Sequence, residues 1–497
     1  FLRSRRSSSW VPRCVSLRRI NNNQSPRLRR VIRSMKGPSI PSPTPPEPPK
    51  VPDVELVVDG FGFMPKNRKS KDMSTEVVGE EQGKSPCASS TNIDIVRRYT
   101  WKTKNRMLVQ VITYGATITV IQAPDKKGNP DDVLAGFDTL EEYFQPRNPY
   151  FGATIGRYAN VIRDGTFVVR PSGRMYMVSN NRVHNHYHGG YMGFDKVNWR
   201  AYVSDNKVIM SHVSERFHEG YPGTVMAQVC FEVTCDNTIK IEMKCTTSEP
   251  TVVNLSNAPF FNLAGHHSGC ETMYDHIFTI NADKYTVADE EGVVTGEKKV
   301  VGGTPFDFRV PRVLRGMLPR IPMGGYDLNY CVSQGTEQGL TFQARVLHPV
   351  TGRVLEVYSN QPGMQFYTGN LLPDPDKIVE VRPTTYTKTT LREGEGESES
   401  ESEGSEAESK SEQSSKNEEG EAEEELKGSK GKVSYGYVPL MGKQGTYYKK
   451  HGLFCIMPQN YPDACNHKNF PNSVLNPGEV YVHKIQYKFG LLLGKYM

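Results

Sequence analysis

Apolar and polar residues alternate along much of this chain with a period of two. In Thr238-Ile239-Lys240-Ile241-Glu242-Met243-Lys244-Cys245 every second residue is apolar, the mark of a half-buried strand. Asp236-Asn237 ahead of it supplies a turn from a preceding strand over Val225 to Val233. Phe342 to Leu347 and Arg353 to Tyr358 flank His348-Pro349-Val350-Thr351-Gly352, which predicts a second hairpin. Met107 to Ile121 reads as two strands broken at Gly115, and Thr139 to Tyr143 as one or two helical turns. Helical periodicity is otherwise nearly absent, and no repeat of fixed period appears. The pattern predicts an all-β fold, a large antiparallel β-sandwich whose strands run from about 92 to 372 and resume near Val433.

Two regions break the pattern. Residues 1–91 are expected to form a disordered basic and Pro-rich tail: ten Arg and Lys36 precede the first acid, Glu47, and Pro41 to Pro49 reads as an extended linker. The stretch before Met35 has the composition of a mitochondrial transit segment, and equally that of translated upstream sequence. The second region is acidic. From Glu393 to Glu425 there are 15 Glu against Lys410 and Lys416, a net of −13, so the rest of the chain carries +19 of the overall +6. A disordered insertion at about 376–432 is expected to interrupt one domain spanning 92–497, which is tolerable because the entropy of closing a loop grows slowly with its length.

The charge therefore sits in tails and not on a folded face, and no nucleic acid is expected as a partner. The acidic insertion suits a basic partner. No run approaches the ~18 apolar residues of a spanning helix, so no membrane association is expected. Nine cysteines without paired spacing fit a reduced compartment, the cytoplasm, or mitochondria if the first 34 residues are a transit segment. Monomer and dimer both stay open.

The candidate chemistry centres on Asn185-His186-Tyr187-His188-Gly189-Gly190, followed by Gly193-Phe194-Asp195-Lys196 and Trp199, a plausible polar sugar pocket in a β-rich protein. Other motifs accompany it in order: Phe151 to Asn160, Glu219-Gly220-Tyr221-Pro222-Gly223, Thr304 to Arg309, Gly325-Tyr326-Asp327, Gln361 to Asn370, and Gln459 to Asp463 with Phe470-Pro471-Asn472. On these motifs the chain resembles the aldose 1-epimerase (galactose mutarotase) family over about 92 to 372 and 440 to 490. The resemblance implies an antiparallel sandwich with a hexose, galactose or glucose, in an open cleft, and no cofactor.

The family's reaction interconverts anomers through the open-chain aldehyde, which needs one group to take the C1 hydroxyl proton and another to protonate the ring oxygen. The resemblance puts the family's His at Ala258 and its Glu at Met457, and its sugar-binding arginine at Val161. Neither Ala258 nor Met457 has a useful proton affinity at neutral pH. The same resemblance assigns substrate binding to Asn160, His188, Asp327 and Gln365, with His188 as the auxiliary catalytic residue. Phe260, Tyr326 and Trp199 are expected to offer a stacking face.

Three further signals are weaker. His184, His186 and His188 would share one face of a strand, as zinc ligands do, but no acidic ligand accompanies them and no metal is expected. His266 and His267 lie eight and nine residues past Ala258, in the next loop. Asn254-Leu255-Ser256 matches a glycosylation sequon inside a core motif. Three readings follow: a sugar-binding relative with weak or absent catalysis, a working mutarotase using substitute residues, and a non-enzymatic scaffold.

Overall fold

The alternating stretches fold as strands because a period of two puts their apolar residues on one face of a pleated sheet. The computed structural model describes residues 53–65, 94–169, 172–321, 324–334, 339–374, 380–381, 434–435 and 439–494. In Val225–Val233 and Thr238–Thr247 each apolar residue of the alternation is buried, and the two strands pair antiparallel around a turn where Asn237 takes a positive φ. Thr341–Leu347 and Arg353–Ser359 form the second expected hairpin. Leu108–Ile112 and Thr117–Pro124 are the two strands split at Gly115, and Leu140–Tyr143 is the short helix.

Among the described residues the strands form a nine-stranded, a six-stranded and a five-stranded sheet, with smaller two-stranded ladders, and every paired strand is antiparallel. In the nine-stranded sheet apolar residues meet in cross-strand rows: Val233 opposes Ile239, Ile239 opposes Tyr487, and Tyr487 opposes Val357. That face packs on the inner face of the six-stranded sheet. Phe278 meets Phe366 and Phe454 at ring separations of 5.0 and 5.1 Å, and Phe261 meets Tyr487 at 5.8 Å. These contacts make the sandwich, its two sheets joined by interdigitated aromatic side chains.

Val54–Phe63 lies within the region expected to be a disordered tail, and it is a strand. It pairs with the free edge of Ile95–Thr103, completing the five-stranded sheet. Backbone hydrogen bonds to an open edge are the physical reason, aided by Phe61 against Tyr143 at 6.2 Å and by an Asp59–Arg98 ion pair. The rest of the expected tail, 1–52 and 66–91, lies outside the described residues. So does most of the acidic insertion, although Glu380–Val381 at its start pairs with Ser434–Tyr435 just past its end. Beyond it, buried Lys443 donates to Asp132 at 2.5 Å and to the Thr119 carbonyl, returning the chain to the same body. The seven cysteines among the described residues are free thiols. No helix among these residues is long and apolar enough to cross a membrane.

One buried charge anchors the loops that lead to the cleft. Arg157 is 2% exposed, and its guanidinium donates to Ser214 Oγ and to the carbonyls of Ser214, Glu215, Pro222 and Gly223, at 2.6–3.0 Å. Burial lowers its pKa to about 10, still cationic at neutral pH. Arg157→Met strands four carbonyls, at roughly 1–3 kcal/mol for each that finds no water. We expect a net loss of about 3 kcal/mol or more in urea denaturation, and a loss below about 1 kcal/mol would show that the loops do not depend on it.

Candidate functional site

Four neighbouring strands of the six-stranded sheet present one face to a cleft. Their order is Phe260–Phe261, Phe454–Gln459, Gly363–Tyr367 and Asp327–Val332. The register sets Phe260 opposite Cys455, Cys455 opposite Tyr367, and Tyr367 opposite Asp327. One pleat along, Met457 opposes Gln365. Ala258 stands two residues before Phe260 and falls on the same side. All of these residues line a cavity of about 220 Å³. The intervening residues Phe261, Phe454, Ile456 and Phe366 point the other way, into the sandwich core.

Loops supply the opposite wall: Pro149, Tyr150, Asn160, Arg182, Tyr187 and His188. The backbone of Asn160 holds His188 at two points. Its N–H donates to His188 Nδ1 at 2.9 Å, and its carbonyl accepts from the His188 N–H at 3.1 Å. Because Nδ1 is an acceptor, the neutral imidazole carries its proton on Nε2. Burial, with the charges of Arg182 and Lys196, lowers the His188 pKa to about 3. Tyr150 meets the ring edge-on at 4.7 Å and Tyr187 lies 3.8 Å away. The Arg182 guanidinium sits 4.5 Å over the Tyr187 ring.

The glycines after His188 answer a steric demand. Gly189 has φ +86°, and a Cβ there would lie 1.9 Å from the Gly156 carbonyl oxygen. The next turn is pinned by Glu219, which accepts from the backbone N–H groups of Tyr191 and Met192 and from the Ser179 hydroxyl. Burial pushes the Glu219 carboxyl up, but those donors hold it below the ordinary range.

On the sheet side Gln365 Nε2 donates to Asp327 Oδ1 at 2.7 Å. Burial among the cleft walls raises the Asp327 carboxyl, against the pull of Gln365 and Arg182, although the residue keeps solvent access through the cleft mouth. Burial also pushes up the hydroxyls of Tyr150, Tyr187 and Tyr367 and the Cys455 thiol, so all four stay protonated at neutral pH. The wall therefore offers hydrogen-bond donors and acceptors and one carboxyl, with the imidazole held neutral.

Asn160, His188, Asp327 and Gln365 thus converge in one cleft, together with Ala258, Met457 and Phe260. Two expected stacking residues do not. Trp199 is a core residue, 2% exposed, its Nε1 donating to the Phe194 carbonyl at 3.0 Å. Tyr326 is buried among Phe306, Phe308 and Phe366, with its hydroxyl on the Pro305 carbonyl. Nor do the three histidines share a face. His184 is exposed near Glu291, while His186 is buried between Tyr221 and the Ser179 carbonyl. The chain then turns at His188, whose φ is +51°. His266 bonds Tyr448 away from the cleft, and His267 is exposed near Asp131.

Cys455 and Tyr367 were legible from the period of two, since each lies two residues from a residue assigned to the site. Arg182, Tyr150 and Tyr187 carry no such signal. Val161 is buried and is not among the residues lining the cleft, whereas Arg182 brings a guanidinium to this wall.

The fold and this face define a large antiparallel sandwich with a cleft across one sheet. The chain belongs to the aldose 1-epimerase family, whose sequence model matches residues 97–488. It is 36% identical over 387 residues to the galactose mutarotase of Rattus norvegicus, covering 78% of this chain and 92% of the rat protein. It is 37% identical over 383 residues to the galactose mutarotase of Homo sapiens, covering 77% of this chain and 91% of the human protein. An aldose epimerase homologue from C. elegans shares the fold at TM-score 0.60 and 23% identity, covering 78% of this chain and 97% of that one. A galactose 1-epimerase from Lactobacillus acidophilus aligns at TM-score 0.59 and 17% identity, covering 88% and 99%.

The tautomer of His188 is directly measurable. We expect long-range ¹H–¹⁵N NMR spectra to show a neutral ring protonated on Nε2 from about pH 8 down to about pH 5. A His188 midpoint within that range would contradict the arrangement. The folded pKa of about 3 lies below the unfolded value of about 6.5, so the unfolded chain binds the proton first. The contribution of His188 to stability is then complete above pH ~6.5 and declines as pH falls toward ~3.

Proposed function

We propose that this protein binds a hexose in the cleft but is impaired as a mutarotase, because the proton-transfer pair of its family is missing. One observation carries the reading: Ala258 and Met457, the positions that the resemblance gives to the acid and the base, both line the cleft, 1% and 5% exposed, within an apolar cluster. Among the described residues that line the cleft, none is placed to act as a general base at neutral pH. Nδ1 of His188 is already engaged, and its low pKa leaves the ring a donor through Nε2 and not a base. The tyrosines and Cys455 hold their protons too tightly at neutral pH. Asp327 is tied to Gln365 and serves better as an acceptor for a sugar hydroxyl.

Sugar binding is supported by what remains. Asn160, His188, Asp327 and Gln365 supply amide, imidazole and carboxyl groups, while Tyr150, Tyr187, Phe260 and Tyr367 supply apolar ring surface. Galactose and glucose are the ligands to test first, since the curated relatives are galactose mutarotases.

Polarimetry on freshly dissolved α-D-galactose is expected to show no acceleration by catalytic amounts of protein. Turnover that persists on dilution would overturn the reading. Restoring the pair with Ala258→His and Met457→Glu together should recover part of the roughly 10²–10⁴-fold that an acid or base contributes. Recovery should need both, because the two act as one unit. Saturation-transfer NMR supplies the second arm: contact with galactose or glucose is expected, and loss of that contact in Asp327→Ala. No contact with either sugar would favour a scaffold.

A further inference from the structure

We propose that the cleft selects a hexose whose anomeric oxygen carries an apolar group, an alkyl or aryl glycoside, over the free sugar. The inference rests on the sugar-binding reading and names its ligand class. The sheet face of the cleft is divided into a polar and an apolar half. On the sheet face the polar Asp327–Gln365 pair stands on the strands Asp327–Val332 and Gly363–Tyr367, and the facing loops add Asn160, His188 and Arg182. The other two strands of that face carry Phe260, Cys455 and Met457, which pack with Ala258 and Leu372. All five belong to one hydrophobic cluster that continues behind the cleft into Phe151, Leu453 and Tyr448.

Away from its boundary with Gln365 and Tyr367, this apolar half of the face offers a ring hydroxyl little. The Met457 thioether is a weak acceptor, and Ala258 and Leu372 have no polar side-chain atom. A sugar hydroxyl pressed against it loses water without gaining a partner, which costs roughly five- to 150-fold in affinity. The penalty disappears if that oxygen bears a carbon chain. The anomeric oxygen is the position of a pyranose that condenses most readily with an alcohol or phenol, so it is the natural exit for an apolar substituent. There is also a surface to receive one. Leu371 is 77% exposed at the rim, next to buried Leu372, and its backbone N–H donates to the Tyr367 hydroxyl at 2.7 Å, which holds the segment on the cleft wall. A lone exposed leucine needs no explanation, but here it prolongs an apolar wall outward from the cavity. The cavity of about 220 Å³ is smaller than the roughly 300 Å³ at which sites for drug-sized ligands begin, so it suits one ring with a substituent leaving through the mouth.

The test is calorimetric titration of the full-length protein with D-galactose and with its methyl, hexyl and phenyl β-glycosides, repeated in the gluco series and kept below micelle concentrations. In at least one series the hexyl and phenyl glycosides are expected to bind tenfold or more tighter than the methyl glycoside, since about two buried methylenes give tenfold. Equal or tighter binding of the free sugar or the methyl glycoside would overturn the inference and leave the sugar-binding reading standing. Binding of 1-hexanol as tight as that of the hexyl glycoside would overturn it as simple adhesion. If no sugar or glycoside binds, both fall together. Leu371→Ser, at an exposed position where folding is not at stake, should reduce the hexyl advantage several-fold. Met457→Gln should narrow it further by placing an amide on the apolar wall.

Discussion

The cleft depends on the registration of four antiparallel strands. Successive side chains on a strand point to opposite faces, so one register decides at once which residues meet the ligand and which meet the core. Phe260, Cys455, Tyr367 and Asp327 form one cross-strand row, with Met457 and Gln365 one pleat away. Their neighbours Phe261, Phe454 and Phe366 close the sandwich against Phe278 and Tyr487. A slip of one residue would exchange the two sets, burying a carboxyl and exposing phenylalanines. The aromatic core therefore fixes the cleft, and the same packing that stabilises the fold sets the geometry of the site.

The facing wall has no such ladder, and its order comes from buried polar groups. Arg157 ties the 156–160 loop to carbonyls of residues 214–223, and Glu219 ties down the turn after His188. Where the 189 loop crosses Gly156 only a glycine fits. Between these fastenings Asn160 and His188 hold each other through backbone and ring. These groups serve the ligand only indirectly: they fix which imidazole nitrogen carries the proton and where it points. Preorganisation of this kind is independent of the side chains at 258 and 457, because none of its hydrogen bonds runs through them.

Much of this was legible in the sequence. The period of two marked the hairpins at 225–247 and 341–359, and the resemblance brought Asn160, His188, Asp327 and Gln365 to one cleft although they are scattered over 200 residues. What escaped has physical reasons. Trp199 and Tyr326 look like stacking residues by type, but type does not tell which face of a turn is buried, and both satisfy their polar atoms on backbone carbonyls in the core. Val54–Phe63 is flanked by tail-like composition, and its stability as a strand comes from an edge supplied by residues 40 positions later. Arg182 enters the cleft from an irregular loop, where neither period nor motif marks direction.

The two replaced positions show how stability and chemistry compete on this sheet. A glutamate at 457 would sit 5% exposed beside Cys455 and opposite Gln365, and a buried carboxylate without a partner costs several kcal/mol. An apolar residue at 457 avoids that cost and is the more stable choice. Methionine fits because its flexible thioether fills an irregular gap, and burial of such a side chain contributes roughly 1.5–3 kcal/mol. Ala258 and Met457 thus make the cleft wall continuous with the apolar cluster behind it. A glutamate at 457 alone would set an unpaired carboxyl into that wall and lower stability.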